Sequence, residues 1–162
     1  MVGPPSPTTA VPVTTGEPAV TRSTHIAPRE SPLITRAEAR RRLAELGQSK
    51  GDTEYAMHDL VSQWSSAFRP PWVVHPVLHR VGGGYVYIRW RLAGVNGRQP
   101  FVDPAGDSGK ALLSSVSTAL AAVLQDYWRA TLDLNVAYSV AHGEWQRWER
   151  YLCDREQLDV QA

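Results

Sequence analysis

Apolar and polar side chains alternate along Tyr85-Val86-Tyr87-Ile88-Arg89-Trp90-Arg91-Leu92. A period of two predicts a strand with Val86, Ile88, Trp90 and Leu92 on one face and Tyr85, Tyr87, Arg89 and Arg91 on the other. The first face requires a cover. The β-branched run Val73–Val81 predicts a preceding strand, with Gly82-Gly83-Gly84 as the turn, and Pro76 places that strand at a sheet edge. Asn96-Gly97 signals a second tight turn leading to a short third strand, Gln99 to Val102. Residues 72–102 therefore read as a three-stranded antiparallel sheet, which needs helices to cover its apolar face.

Helical periodicity flanks this sheet. Thr35 with Glu38 forms a capping box for a helix over 35–46, with Gly47 as its left-handed exit. A second helix, 53–69, starts at Asp52 or Thr53, carries the apolar stripe Met57, Leu60, Val61, Trp64 and Phe68, and stops before Pro70-Pro71. From 108 to 158 Leu113, Val116, Leu120, Leu124, Tyr127, Thr131, Leu134, Tyr138, Ala141, Trp145, Trp148 and Leu152 recur every three or four residues. That spacing marks helices packed lengthwise. Gly143 is the first candidate for a break and Thr131–Asp133 the second. A helical hairpin and a coiled-coil homodimer through these C-terminal helices both fit. The fold class is α+β, with a single domain over 34–162.

Composition adds an N-terminal distinction. Residues 1–33 hold seven of the twelve prolines and few large apolar side chains, a composition that predicts a disordered tail. No apolar run of signal-peptide length follows Met1, and none reaches the ~18 residues of a membrane span. The single cysteine, Cys153, leaves no internal disulfide, fits a reducing cytoplasm and reads as a half-buried helical thiol.

The net charge of +1 hides an uneven distribution. Residues 60–102 carry five arginines and no acid, whereas residues 103–162 carry five basic and nine acidic groups. Nothing near Arg89 and Arg91 in sequence neutralises them. Guanidinium groups among aromatic rings suit phosphate contact and base stacking. The predicted nucleic-acid-binding residues are Tyr85, Tyr87, Arg89 and Arg91, extended by Arg80 and Arg98. Arg40-Arg41-Arg42 is a second basic run, read as a solvated helix face.

Catalytic and cofactor patterns fail on spacing. Gly106-Asp107-Ser108-Gly109-Lys110 resembles a phosphate-binding loop, but Pro104 stands where the first glycine belongs and Ala111 follows the lysine. A helix cap by Asp107 or Ser108 accounts for it. His75 and His79, four apart on a strand, lie ~13 Å from one another and have no cysteine pair nearby, so no metal or other cofactor is expected. His142 beside Glu144 reads as a surface pair, and no nucleophile is placed near a base.

The strand Ile88-Arg89-Trp90-Arg91, with Leu134-Asn135, Ser139 and His142 downstream, resembles an uncharacterised family carried by integrating conjugative elements. The resemblance covers roughly residues 80–158 and implies a mobile-DNA context without a mechanism. The strand–strand–helix order is also similar to the three-stranded arm-binding domain of phage-type integrases. That likeness implies a basic sheet face entering DNA, with Arg89 and Arg91 at the contact positions, and leaves no room for the integrase catalytic domain. These readings converge on a non-enzymatic nucleic-acid-binding accessory protein. The alternative is a protein–protein adaptor or dimeric scaffold, suggested by Trp128, Trp145 and Trp148, in which acids such as Asp126 or Asp133 mask Arg89 and Arg91.

Overall fold

The computed structural model describes residues 34–94 and 99–161. The predicted tail 1–33, the Asn96-Gly97 turn and Arg98 lie outside the described residues. The order of elements is α1 (Arg36–Ala67), β1 (Val74–Val81), one 3-10 turn (Gly82–Gly84), β2 (Tyr85–Leu92), β3 (Phe101–Val102), α2 (Asp107–Ser115) and α3 (Thr118–Val160). The α+β class and the small antiparallel sheet are as the sequence predicts.

Two long helices form the frame. Thr35 caps α1 by accepting from the Glu38 amide at 3.1 Å, one half of the expected capping box, while the Glu38 carboxylate accepts from Arg41 at 2.6 Å. Contrary to the expected pair of helices, α1 then runs unbroken through Gly47, Asp52 and Thr53. Gly47 is not a helix exit. Thr53 does not cap; its hydroxyl donates back to the Ser49 carbonyl at 2.8 Å. Each interior glycine costs ~1 kcal/mol relative to alanine, but this segment packs against α3. Lys50 sits 4.3 Å over the Trp145 ring, and Ala39, Leu46, Met57, Leu60 and Trp64 are buried along the helix. At Gly51 an added Cβ meets nothing within 4 Å. Gly51→Ala is therefore expected to stabilise the protein by ~0.5–1 kcal/mol, seen as a raised urea midpoint; an unchanged or lower midpoint contradicts this account.

The C-terminal helical region breaks before the expected places. Val116 is extended, Ser117 caps α3 by accepting from the Leu120 amide at 3.3 Å, and Thr131 and Gly143 both lie inside one 43-residue helix. Such a helix is about 64 Å long, and its lengthwise partner is α1, running antiparallel. Arg36 pairs with Asp159, Arg40 with Glu156 at 3.4 Å and Arg42 with Glu144 at 3.5 Å. The start of α1 thus meets the acidic end of α3. Trp145 and Trp148 are half-buried there and Trp128 is in the core, so these rings belong to an intramolecular seam. Cys153 is exposed rather than half-buried.

The sheet lies between the two helices in sequence, in the order β1-β2-β3. Gly83 and Gly84 have φ near +75°, a region that residues with a side chain disfavour, so the tri-glycine supplies the turn. The register pairs Pro76 with Trp90, Leu78 with Ile88 and Arg80 with Val86. Val86, Ile88 and Trp90 are buried against the helices, as the alternation requires. One cluster joins Trp64, Val74, Trp90, Leu124 and Trp128; the other joins Met57, Leu60, Val86, Ile88 and Tyr138.

β3 is two residues long and pairs only with Trp90 and Arg91. The edge of β2 beside Ile88 is closed by α3 instead. The Asn135 side-chain amide accepts from the Ile88 N–H at 2.8 Å and donates to its carbonyl at 3.0 Å. One side chain thereby does for Ile88 what a neighbouring strand residue does in a ladder.

The glycine-rich segment before α2 is a turn built on Asp103. Its carboxylate accepts from the Ala105 amide, its N–H donates to the Ser108 hydroxyl at 2.9 Å, and its carbonyl accepts from the Gly109 amide at 3.0 Å. A Cβ on Gly109 would lie 2.4 Å from the Pro104 carbonyl oxygen, which explains that glycine without a phosphate. Neither Asp107 nor Ser108 is the cap: Gly106 occupies that position and α2 begins at Asp107.

Candidate functional site

The face of the sheet turned away from the helices follows from the register. His75 stands opposite Arg91, Val77 opposite Arg89 and His79 opposite Tyr87, and β3 adds Phe101 beside Arg91. All of these side chains are half-buried, because they pack on one another. The Arg89 guanidinium carbon lies 3.4 Å from the centroid of Phe101 and that of Arg91 lies 4.8 Å from it. His79 meets Tyr87 edge-on at 5.1 Å. Burial, and then the charge of Arg91, hold the His75 imidazole below its usual range, so His75 is neutral at pH 7 and the positive charge resides on the arginines.

Arg36, Arg40, Arg41, Arg42, Arg80, Arg129 and Arg155 each have a carboxylate partner; among the described residues Arg89 and Arg91 have none. Among the described residues Arg69, Arg147 and Arg150 also lack an ion pair, and what distinguishes Arg89 and Arg91 is that they are unpaired and lie over an aromatic ring. Asp126 pairs with Arg129 on α3 at 2.9 Å rather than reaching the sheet. The acids of α3 instead neutralise the basic start of α1, so Arg40 and Arg42 are tied down by ion pairs across the helix seam.

Not every predicted residue joins this face. Arg80 shares the helix-facing register of Val86 and pairs with Glu54 of α1; its position at a strand end allows that turn toward the helices. Tyr85 stands at the start of β2, and its ring lies 5.6 Å from Tyr138 and 5.4 Å from His142, both on α3. It belongs as much to the rim of the core as to the open face. The structure brings together Tyr87, Arg89 and Arg91 and adds Phe101, His79 and His75. Phe101 was legible as a strand residue, but its place under Arg89 depends on a register that the turn sequence alone leaves open.

Beside this face, where β3 stops short, a cleft of about 800 Å³ opens between the edge of β2 and α3. Arg89 and Phe101 line its sheet side and Gln125, Arg129 and Leu132 its helix side, with Asp103 the one carboxylate on its wall among the described residues. A guanidinium set over a ring retains N–H donors for phosphate oxygens, and the neighbouring rings offer stacking surfaces to planar groups.

The second motif, Leu134-Asn135, Ser139 and His142, is explained by packing where it touches the sheet. Leu134 joins the second cluster, Asn135 holds Ile88, and His142 is buried beside Tyr138 and Tyr85 rather than forming a surface pair with Glu144. Burial, and then the nearby Lys50 ammonium, hold the His142 imidazole below its usual range near 6.5. The folded state therefore binds this proton less readily than the unfolded state. The associated stability is complete above pH ~6.5 and declines as the pH falls below it. Thermal unfolding between pH 7.5 and 5.5 is expected to show this decline and a shallower one in His142→Phe, with His75 supplying a residual slope of the same sign. Equal slopes in both proteins contradict the assignment.

Among the described residues no group of three or more His, Cys, Asp and Glu is arranged to hold a metal, and no helix is long and apolar enough to cross a membrane. Comparison with protein-family models, curated proteins and solved structures gives no match.

Proposed function

We propose that this protein binds single-stranded nucleic acid through the outer face of its sheet and catalyses no reaction. The observation that carries this reading is the pair of arginines, Arg89 and Arg91, that lie over the Phe101 ring on one sheet face and have no carboxylate partner among the described residues. Stacking pre-organises a guanidinium, so less side-chain freedom is lost when it meets a phosphate. Tyr87 and Phe101 offer rings to unstacked bases, and both line the adjoining cleft of about 800 Å³. Bases in a duplex hide their faces, which favours a single strand. An accessory role in mobile DNA is the context implied by the resemblance of the Ile88–Arg91 and Leu134–His142 motifs.

Fluorescence anisotropy with labelled single- and double-stranded oligonucleotides at rising salt tests the proposal. Arg89→Ala/Arg91→Ala is expected to weaken single-strand binding roughly tenfold or more and to flatten its log–log salt slope by about 1.4, since each neutralised phosphate contributes ~0.7. Arg150→Ala/Arg155→Ala, on the far part of α3, is the control and retains binding. No binding at low salt, or equal binding by the sheet variant, refutes the proposal.

A specific observation favours a second reading, the dimeric scaffold. Leu132, Val136 and Val140 are exposed on α3 although its other face is fully packed. Sedimentation across a range of concentrations is expected to reveal a homodimer on this reading; a monomer throughout excludes it.

A further inference from the structure

α3 carries two stripes, and α1 and the sheet use only one. Leu124, Trp128, Thr131, Tyr138, Ala141 and His142 face inward. The outer stripe, spaced by four, comprises Leu132 at 63%, Val136 at 53% and Val140 at 57% exposure. Continued along the same face it reaches Arg129 on one side and Gly143 on the other. A Cβ on Gly143 would meet nothing within 4 Å, so a second backbone can approach there.

We infer that this stripe is a twofold interface on which α3 of a second copy lies antiparallel, centred on Val136. The inference rests on the dimeric reading above and assigns its surface and orientation. A twofold interface requires a surface complementary to itself, and this stripe meets the requirement. With Val136 on Val136, Leu132 falls against Val140 of the second copy. Further out, Arg129 comes near Glu144 and Asp126 near Arg147, so opposite charges meet on both flanks. A parallel arrangement instead sets Arg129 beside Arg129 and Asp126 beside Asp126, which is repulsive. Paired from Asp126 to Arg147, each helix contributes about 33 Å of contact length.

Cross-linking decides the orientation. In a Cys153→Ser background, Val136→Cys is expected to form a covalent dimer efficiently with a short bis-maleimide. The unaltered protein is expected not to cross-link through Cys153, because the two thiols then lie about 50 Å apart along the paired helices. Val136→Glu is expected to sediment as a monomer with an unchanged circular dichroism spectrum. Wild-type protein that is monomeric at every concentration overturns the inference together with the dimeric reading. A wild-type dimer that links through Cys153, or through neither position, or that persists in Val136→Glu, overturns only the surface and orientation. Nucleic-acid binding by the sheet face is tested separately by the arginine variants.

Discussion

Trp90→Ala is expected to destabilise the protein by about 3–5 kcal/mol, the usual loss for truncating a buried tryptophan. Trp90 is 1% exposed on the central strand and meets Trp64 of α1 edge-on at 5.0 Å and Trp128 of α3 at 6.3 Å. Its indole N–H donates to the Thr131 hydroxyl at 3.2 Å. One ring therefore contacts the sheet's two covering helices at once. Its loss opens a cavity among side chains held on long, rigid elements that cannot collapse into it, and leaves Thr131 without a donor. A domain with the usual ~5–15 kcal/mol of total stability loses much of its margin. Trp90→Phe keeps a ring and is expected to cost less than half as much. Urea unfolding measures both, and a loss below ~1 kcal/mol for the alanine variant contradicts the placement of Trp90 at the junction.

The second large effect comes from a polar residue. Asn135→Leu is expected to cost ~2–4 kcal/mol although leucine is apolar and a better helix former, because the Ile88 N–H and C=O both lose their partner. Hydrogen exchange is expected to localise the damage: the Ile88 amide loses protection while the inner amides of α1 retain theirs. An Asn135→Leu protein as stable as wild type, with Ile88 still protected, contradicts the view that a side chain closes the edge of β2.

These two residues also mark how far the sequence could be read. The two-faced strand was legible because period-two alternation admits one geometry, and Trp90 fell on the covered face without further information. The edge position of β1 followed from Pro76. Asn135 was noticed only within a motif; its clue was a polar residue among the inward-facing positions of a helix, but its partner is 47 residues away. Gly47 and Gly51 were local helix breakers whose cost is outweighed by packing on α3, a contact that no local window contains. The break near Val116 leaves no mark in the hydrophobic pattern because Leu113, Val116 and Leu120 all pack on the same cluster, so the apolar rhythm runs across the interruption. Tyr87, Arg89 and Arg91 share the open face as the alternation requires, whereas Tyr85 also packs against α3. Arg80 was misassigned to that face because sequence proximity cannot reveal an ion pair with Glu54.

The acidic C-terminal part presented the main objection to an open basic face. Three of its carboxylates, Asp159, Glu156 and Glu144, are engaged with Arg36, Arg40 and Arg42 at the far end of the helix pair, and Asp126 pairs with Arg129. Surface pairs of this kind contribute little each, but among the described residues none of them involves Arg89 or Arg91.

The most direct test of the central claim is amide chemical-shift mapping of the full chain titrated with a short single-stranded oligonucleotide at low salt. The account predicts saturable shifts clustered at His75–His79, Tyr87–Arg91 and Phe101, with the α1–α3 seam unmoved. Shifts confined to the helices, or none on the sheet, contradict it.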